Sequence, residues 1–540
     1  MKNKLLDEVQ RLSSGIILFS FMTGLFILSL WHNYVTVHFQ HKHDPRDTRG
    51  SRTSIDSSDK KKTRPARHSR PLSISSATPI DLERDQENNI EYDRTVTSRL
   101  SMDSNACVSG EGDGDNNIKM GNNVSQAPYA AENPFQNLAL AEDTRLVADL
   151  KYYYKQYGID IEEFEVETDD GFIIDLWHFK PKAEDGVDEA KREPILLLHG
   201  LLQSCGAFAS SGRKSLAYFL YESGFDIWLG NNRCGLHAKW NMKKLGNDHS
   251  KKWDWDMNQM VQYDLKALVC HVLDSTGFAK LSLVAHSQGT TQGFMGLVNG
   301  EKLYASDFKL VDKLENFVAL APAVYPGPLL DEKSFVRLMA NGIDSPWYFG
   351  RRSFVPLMMA MRSLLVGTKI FSFLSYVMFN YLFDWNDALW DRVLRDRNFL
   401  FSPVHISVKL MQWWLSSDEN KLSFKNGSEK IFPDKKTWFP VAKNDDDSGN
   451  SLSNDNLHLN PKRQNSDDFP HIIMFIPKQD RLVDGERLIN HFINHEANSV
   501  YKIWYIDEYS HLDVLWAHDV IDRIGKPMIE NMRFPNAKEL

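Results

Sequence analysis

The feature that most constrains this 540-residue chain is a rhythm of short apolar runs. Pro194-Ile195-Leu196-Leu197-Leu198 is the first, and others follow at 226–229, 281–284, 317–321, 471–476 and 500–505. Strands buried on both faces read as continuous apolar runs of this kind. Between them lie helix-period stretches at 214–223, 257–273 and 290–298, and a last one at 514–532 closes the chain. Strands that alternate with helices at this spacing predict an open, largely parallel α/β sheet. Upstream, order is expected from Pro134, with a helix over 143–157. Phe164-Glu165-Val166-Glu167-Thr168 alternates like a half-buried strand, Asp169-Asp170-Gly171 reads as a hairpin turn, and 172–179 is the return strand.

The run at 281–284 continues into Ala285-His286-Ser287-Gln288-Gly289. A strand, a small–x–Ser–x–Gly turn and a helix make the layout of a nucleophile elbow. The chain turns so sharply at the serine that its neighbours must be small, and the turn lifts the hydroxyl clear of the sheet. Ala285 stands where glycine is commonest, a departure of one methyl group.

A serine hydroxyl is a weak nucleophile at neutral pH. It needs a base in hydrogen-bond reach, and the base needs an acid to hold its tautomer. In α/β-hydrolases the acid and then the histidine follow the nucleophile along the chain. The run 471–476 leads into Pro477-Lys478-Gln479-Asp480-Arg481-Leu482-Val483-Asp484, which offers Asp480 first and Asp484 second as the acid. The last apolar run is followed by Tyr509-Ser510-His511-Leu512-Asp513, which makes His511 the expected base. Two backbone N–H groups must face the developing oxyanion. One is expected from Gln288, the residue after the nucleophile, and the other from Leu201, after His199-Gly200. His199 and His286 flank these positions and read as packing or supporting residues. Cys205 and Cys234 read as small core residues.

At the N-terminus, residues 15–31 carry no charge, and Leu12, Ser13 and Ser14 extend the run to about the twenty residues needed to cross a bilayer. Trp31 and Tyr34 suit its interfacial edge. No small–x–small cleavage site follows, which favours a retained anchor over a signal peptide. Lys and Arg balance on its two sides, so orientation stays open. The expected organisation is a tail at 1–11, a transmembrane anchor at 12–34 and a disordered polar linker at 35–133. Residues 41–70 hold ten Lys or Arg against four Asp, which suits either a solvated tether or a contact with anionic headgroups. The α/β core is expected at 134–324 and 470–540. Between its parts lie a helical cap at 325–438 and a polar loop at 439–469. The greasy stretch 364–383 could alternatively cross a membrane. Asn123-Val124-Ser125 and Asn426-Gly427-Ser428 are glycosylation sequons, used only if the domain faces a lumen.

A net charge of −9 argues against a nucleic-acid partner. The four cysteines are widely spaced and form neither a metal-ligand motif nor a disulfide framework. The chemistry outlined needs no metal or organic cofactor.

Several segments together resemble the acid lipase family of α/β-hydrolases. They are His199-Gly200-Leu201-Leu202, Trp228-Leu229-Gly230-Asn231-Asn232-Arg233, Tyr263-Asp264-Leu265, His286-Ser287-Gln288-Gly289 and His511-Leu512-Asp513. The entry segment from Tyr157-Gly158 to Thr168-Asp169-Asp170-Gly171 belongs with them. With its anchor and tether, the chain is most similar to the membrane-anchored fungal steryl ester hydrolases of that family. The likeness runs from about residue 140 to the C-terminus. It implies an α/β-hydrolase fold with an inserted helical cap that controls entry to an apolar pocket. It implies Ser287 as nucleophile, Asp480 as acid, His511 as base, and Leu201 and Gln288 as oxyanion donors. It also implies cleavage of steryl esters to sterol and fatty acid, with steryl ester and membrane lipid as partners, and protein partners unknown. A plasma-membrane location leads, with the lipid droplet or endoplasmic reticulum as alternatives. Triacylglycerol hydrolysis, acyl transfer and a non-catalytic lipid-binding scaffold are the competing readings. Three departures stand out. Ala285 replaces glycine in the elbow, 477–484 only partly matches the family's acid loop, and the cap lacks the cysteine pair of secreted relatives.

Overall fold

The computed structural model describes residues 2–42, 90–92, 142–180, 191–246, 251–305, 307–441 and 468–534. Most of the expected linker, the ordering point at Pro134, the Asn123 sequon, Cys107 and nearly all of the polar loop lie outside the described residues. The described strands are β1 (Ile90–Tyr92), β2 (Asp160–Glu167), β3 (Phe172–Lys180), β4 (Pro194–Leu198), β5 (Asp226–Gly230), β6 (Lys239–Trp240), β7 (Leu281–His286), β8 (Leu314–Leu320), β9 (His471–Pro477) and β10 (Tyr501–Ile506). They form one sheet in the order β1-β10-β9-β8-β7-β4-β5-β3-β2, with β6 paired to β3. From β1 to β5 every pairing is parallel. The hairpin β2–β3 and its junction to β5 are antiparallel.

The apolar runs become strands because both of their faces are covered. Alternate residues of β4, β7, β8 and β9 divide between two cores. Leu196, Leu198, Leu283, Ala285, Phe317 and Met474 enter one. Ile195, Leu197, Val284, Val318, Ile473 and Phe475 enter the other. Each such side chain removed from water contributes about 1.5–3 kcal/mol. The central strand β7 lies between β4 and β8, with Leu198 opposite Ala285 and Ala285 opposite Ala319.

Helix boundaries depart from the sequence expectation in three places. Over 143–157, only Leu150–Tyr154 is α-helical, followed by a 3₁₀ turn, Lys155–Tyr157. The preceding residues are held by side-chain bonds instead. Asp143 takes the Arg145 guanidinium and the Tyr152 hydroxyl, and Asp149 caps the short helix through the Lys151 N–H. Local bonds of this kind compete with helix formation. The expected helix 257–273 contains a π-helical turn, Met260–Leu265, between Met257–Gln259 and Lys266–Thr276. Asp264 lies in that turn, fully buried, and both of its carboxylate oxygens accept from the Arg233 guanidinium. The same guanidinium donates to both oxygens of Asp170 in the β2–β3 turn. Asn231-Asn232-Arg233, Tyr263-Asp264-Leu265 and Asp169-Asp170-Gly171, distant in sequence, are thus one clasp below the end of β5. Finally, the closing stretch is broken into Asp513–Trp516, a π-helical turn Ile521–Gly525 and Lys526–Asn531.

Between β8 and β9 the described chain is helical. Its longer helices are Ser334–Gly342, Pro356–Leu365, Lys369–Phe383, Val408–Leu415 and Phe424–Ile431. The greasy stretch 364–383 is not one span: Gly367, at φ +86°, separates two helices, and the second has 15 residues. Asn426 sits in the last of these helices and donates its amide N–H to the Asp418 carbonyl.

The N-terminal helix, Lys2–Lys42, extends beyond the expected 12–34 at both ends. Within it, Leu12–Thr36 is the one described segment long and apolar enough to cross a membrane by length and composition. It packs against Pro346–Phe349 and Lys369–Phe383. Inside the expected linker, Ile90–Tyr92 pairs with β10, so three linker residues cover a sheet edge that would otherwise stay unpaired.

Candidate active site

β7 ends at His286, and the helix Gln288–Val298 starts two residues later. Ser287 joins them at φ +50° and ψ −114°, a conformation that costs a non-glycine residue energy and persists only where its surroundings enforce it. The surroundings are tight. A Cβ on Gly289 would stand 2.6 Å from the carbonyl oxygen of Leu198, so only glycine lets the helix start this close to β4. Ala285 is fully buried in the core, where its methyl group is accommodated.

The loops after β9 and β10 bring two further groups to the serine. His511 Nε2 lies 2.8 Å from Ser287 Oγ, and His511 Nδ1 lies 2.5 Å from Asp480 Oδ2. The Asp480 and His511 side chains are each 2 % exposed. Asp480 Oδ1 accepts from the Leu482 N–H at 2.9 Å, which fixes the carboxylate in its own loop. Asp484, the rival carboxylate, points elsewhere: it caps the helix Gly485–His495 through the Arg487 N–H. The expected nucleophile, acid and base therefore meet in one hydrogen-bonded chain, and the second nominee for the acid has a local structural task.

The loop after β4 reaches the same point. A Cβ on Gly200 would stand 2.9 Å from His286 Nδ1 and 3.1 Å from Ser287 Cβ. Lacking one, Gly200 lets the backbone run against the serine, and Leu201 lines the cavity beside it. Gln288 opens the elbow helix, and its side-chain oxygen accepts from Trp414 Nε1 at 3.1 Å. That contact ties the elbow helix to Trp414, which also lines the cavity.

His199 and His286 act as braces. His286 Nε2 donates to the His511 carbonyl at 3.1 Å, and its Nδ1 is 3.1 Å from the Gln203 side-chain oxygen. Burial, and then the neighbouring His511, hold the His286 imidazole well below its usual pKa. His199 donates from Nδ1 to the Gly200 carbonyl and accepts the Asn232 N–H at Nε2. Burial brings its pKa down to about 4, so it is a neutral ring with a fixed tautomer. Asn232 in turn exchanges amide bonds with Gln292 in the elbow helix. Cys205 and Cys234 are buried free thiols.

Sequence reasoning missed Trp385. Its indole is stacked on His511, with 5.2 Å between ring centroids and 7° between planes. It follows Asp384, which ends the helix Lys369–Phe383 in the left-handed region, and no motif marks it.

Ser287 and His511 open on a large apolar cavity that is continuous with solvent. Its lining is largely Leu, Met, Phe and Val from the helices between β8 and β9, and it includes three residues of the N-terminal helix. A buried, hydrogen-bonded Ser–His–Asp chain at the foot of an apolar cavity suits acyl transfer from an ester with bulky hydrocarbon parts.

Residues 150–212 match the family described as "Partial alpha/beta-hydrolase lipase region". The chain is 87% identical over 538 residues to Sterol esterase 2 of Saccharomyces cerevisiae, covering 100% of both chains. It is 35% identical over 195 residues to Lipase 1 of Drosophila melanogaster, covering 36% of this chain and 40% of that one. It is 32% identical over 184 residues to gastric triacylglycerol lipase of Homo sapiens, covering 33% and 44%. The sheet order, the elbow and these likenesses converge, and the chain belongs to the lipase family of α/β-hydrolases, among its esterases.

Proposed function

We propose that this protein hydrolyses steryl esters to free sterol and fatty acid, with Ser287 as nucleophile, His511 as base and Asp480 as acid. The observation that carries the reading is the hydrogen-bonded chain from Asp480 through His511 to Ser287 at the foot of the apolar cavity. Full-length likeness to a sterol esterase supports the choice of substrate.

In the first half-reaction His511 Nε2 takes the Ser287 proton as Oγ attacks the ester carbonyl. Asp480 holds the Nδ1–H tautomer and stabilises the imidazolium that forms. The backbone N–H groups of Gln288 and Leu201 receive the oxyanion. The intermediate collapses as the imidazolium returns its proton to the sterol oxygen, which leaves Ser287 acylated. In the second half-reaction His511 takes a proton from water as the oxygen attacks the acyl carbon, and the imidazolium then returns that proton to Ser287 Oγ as the fatty acid leaves. Every proton and electron pair comes from these groups and water.

Residues 12–34 act as a single-pass anchor on this reading. Steryl esters are nearly insoluble in water, so an enzyme held in the bilayer meets its substrate there. The plasma membrane is the leading location, with the lipid droplet or endoplasmic reticulum as the alternatives. A labelled alkyl fluorophosphonate tests the site assignment. It is expected to attach to the peptide containing Ser287 and to abolish steryl ester hydrolysis in proportion to labelling. Attachment elsewhere with equal loss of activity would overturn the assignment.

A further inference from the structure

The N-terminal helix does more than end beside the catalytic domain. At 1.5 Å per residue its 41 residues span about 60 Å, twice the hydrocarbon thickness of a bilayer. One face, Ser14, Leu18, Met22, Leu25 and Ser29, is buried against the protein at helical spacing. The opposite face carries Leu12, Ile16, Phe19, Ile27 and Trp31, all exposed and all apolar. A helix that is greasy all round has hydrocarbon on the side the protein does not cover.

The buried face reaches the chemistry. Phe21, Met22 and Leu25 line the cavity that Ser287 and His511 open on. Phe21 is seated by rings from the inserted helices, with centroids 4.3 Å from Phe335 and 5.7 Å from Phe349.

A second apolar cleft runs between Met22 and Phe26 on one side and the helices Pro356–Leu365 and Lys369–Phe383 on the other. It shares Met22, Met358, Ser375, Met378 and Pro403 with the main cavity, so the cleft adjoins the cavity across these side chains, at the flank of the N-terminal helix. Near its outer side, Leu364, Ile370 and Phe373 are exposed. These residues meet hydrocarbon rather than water if the N-terminal helix lies in a bilayer. Three of the shared residues, Met22, Met358 and Met378, are methionines and form the waist where cleft and cavity adjoin. Their unbranched side chains adapt to a bulky apolar guest with little strain.

We infer that the N-terminal helix is a wall of the substrate site. The methionine-lined groove between it and the helices Pro356–Leu365 and Lys369–Phe383 is a lateral portal, through which the steryl ester passes from the bilayer to Ser287 without crossing water. The inference rests on the steryl ester and single-pass anchor readings above. It assigns the anchor a role in substrate binding that a simple tether does not have.

The test uses the full chain in its membrane and measures a ratio. Turnover of a long-chain steryl ester in vesicles is divided by turnover of a short, water-soluble ester by the same preparation. Two variants are compared with wild type. One is Met22→Trp, which fills the waist. The other replaces residues 12–34 with an unrelated apolar helix of equal length, which keeps a tether and removes the wall. The ratio is expected to fall about tenfold or more in both, the scale of shape discrimination in an apolar pocket. An unchanged ratio in either variant, whether both activities persist or both fall together, overturns the portal. Wild-type membranes that cleave the soluble ester but no steryl ester would instead refute the substrate reading. The same ratio is then taken with a long-chain triacylglycerol, and the portal stands or falls on it in the same way.

Discussion

The indole of Trp385 lies parallel to the imidazole of His511, 7° between planes, and so covers one face of the ring that joins Ser287 to Asp480. Two hydrogen bonds fix the imidazole in its own plane, and the stacked indole restrains it from tipping out. An aromatic contact of this kind is worth about 0.5–1.5 kcal/mol. Trp385→Ala is expected to lower kcat by about three- to tenfold, with a smaller change in KM, while Trp385→Phe restores most of the rate. Equal loss in both variants would mean that Trp385 matters only to packing of the inserted helices.

The two aspartates of the acid loop are expected to separate cleanly. Asp480→Asn keeps the shape but removes the charge that holds the His511 tautomer, so hydrolysis falls by about 10⁴-fold. Asp484→Ala removes a helix cap and lowers stability by about 1 kcal/mol, with activity retained where the protein stays folded. Kinetics and a thermal melt of each variant check both statements.

Gly200→Ala places a methyl group where 2.9 Å separates it from His286 Nδ1 and 3.1 Å from Ser287 Cβ. The loop carrying Leu201 must retreat, and its N–H moves off the oxyanion. A fall in kcat of about 10²-fold or more is expected, with covalent labelling of Ser287 still detectable. Near-normal kcat would remove Leu201 from its proposed role.

Arg233 is fully buried between Asp264 and Asp170. Burial opposes its charge, yet the two carboxylates outweigh that and keep it protonated. Asp264 is pushed up by burial against the pull of Arg233. Removing one partner of such a group leaves a charge unpaired in the core, at a cost of about 3–5 kcal/mol. Arg233→Met is therefore expected to lose folded protein at growth temperature, measured as membrane-associated abundance and melting temperature. Near-wild-type stability would show that the clasp is replaceable.

Glu193, just before β4, has its pKa raised to about 7 by burial and then by Glu315. The folded chain holds this proton more tightly than the unfolded chain, whose glutamate titrates near 4.5. The linked stability is full below that lower value and is lost as pH rises through about 7. Glu193→Gln, neutral at every pH, is expected to melt above wild type at pH 8 and close to it at pH 4.5. Parallel melting curves across that range would contradict the account.

How much of this was legible beforehand depends on where each residue sits. Ser287, Asp480 and His511 follow the ends of β7, β9 and β10, and the apolar runs that make those strands are continuous enough to read directly. The alternation of two buried cores within each strand is likewise carried by local pattern. The breaks were not legible, because they come from distant partners. Asp264 sits in a π-helical turn where it meets Arg233, and Asp143 leaves a helical pattern to bind Arg145 and Tyr152. Trp385 and Met22 carried no signal at all: Trp385 reaches the site through how the inserted segment packs onto His511, and Met22 through how the N-terminal helix packs against the inserted helices.

Sterol release from a labelled steryl ester is the most direct measurement of the central claim. Membranes carrying the wild-type chain are compared with membranes carrying Ser287→Ala at matched abundance. Release by the wild type and a fall of at least about 10³-fold in the variant are expected. Release at the wild-type rate by Ser287→Ala would contradict the catalytic assignment. Wild-type membranes that release no sterol while cleaving other esters would contradict the substrate.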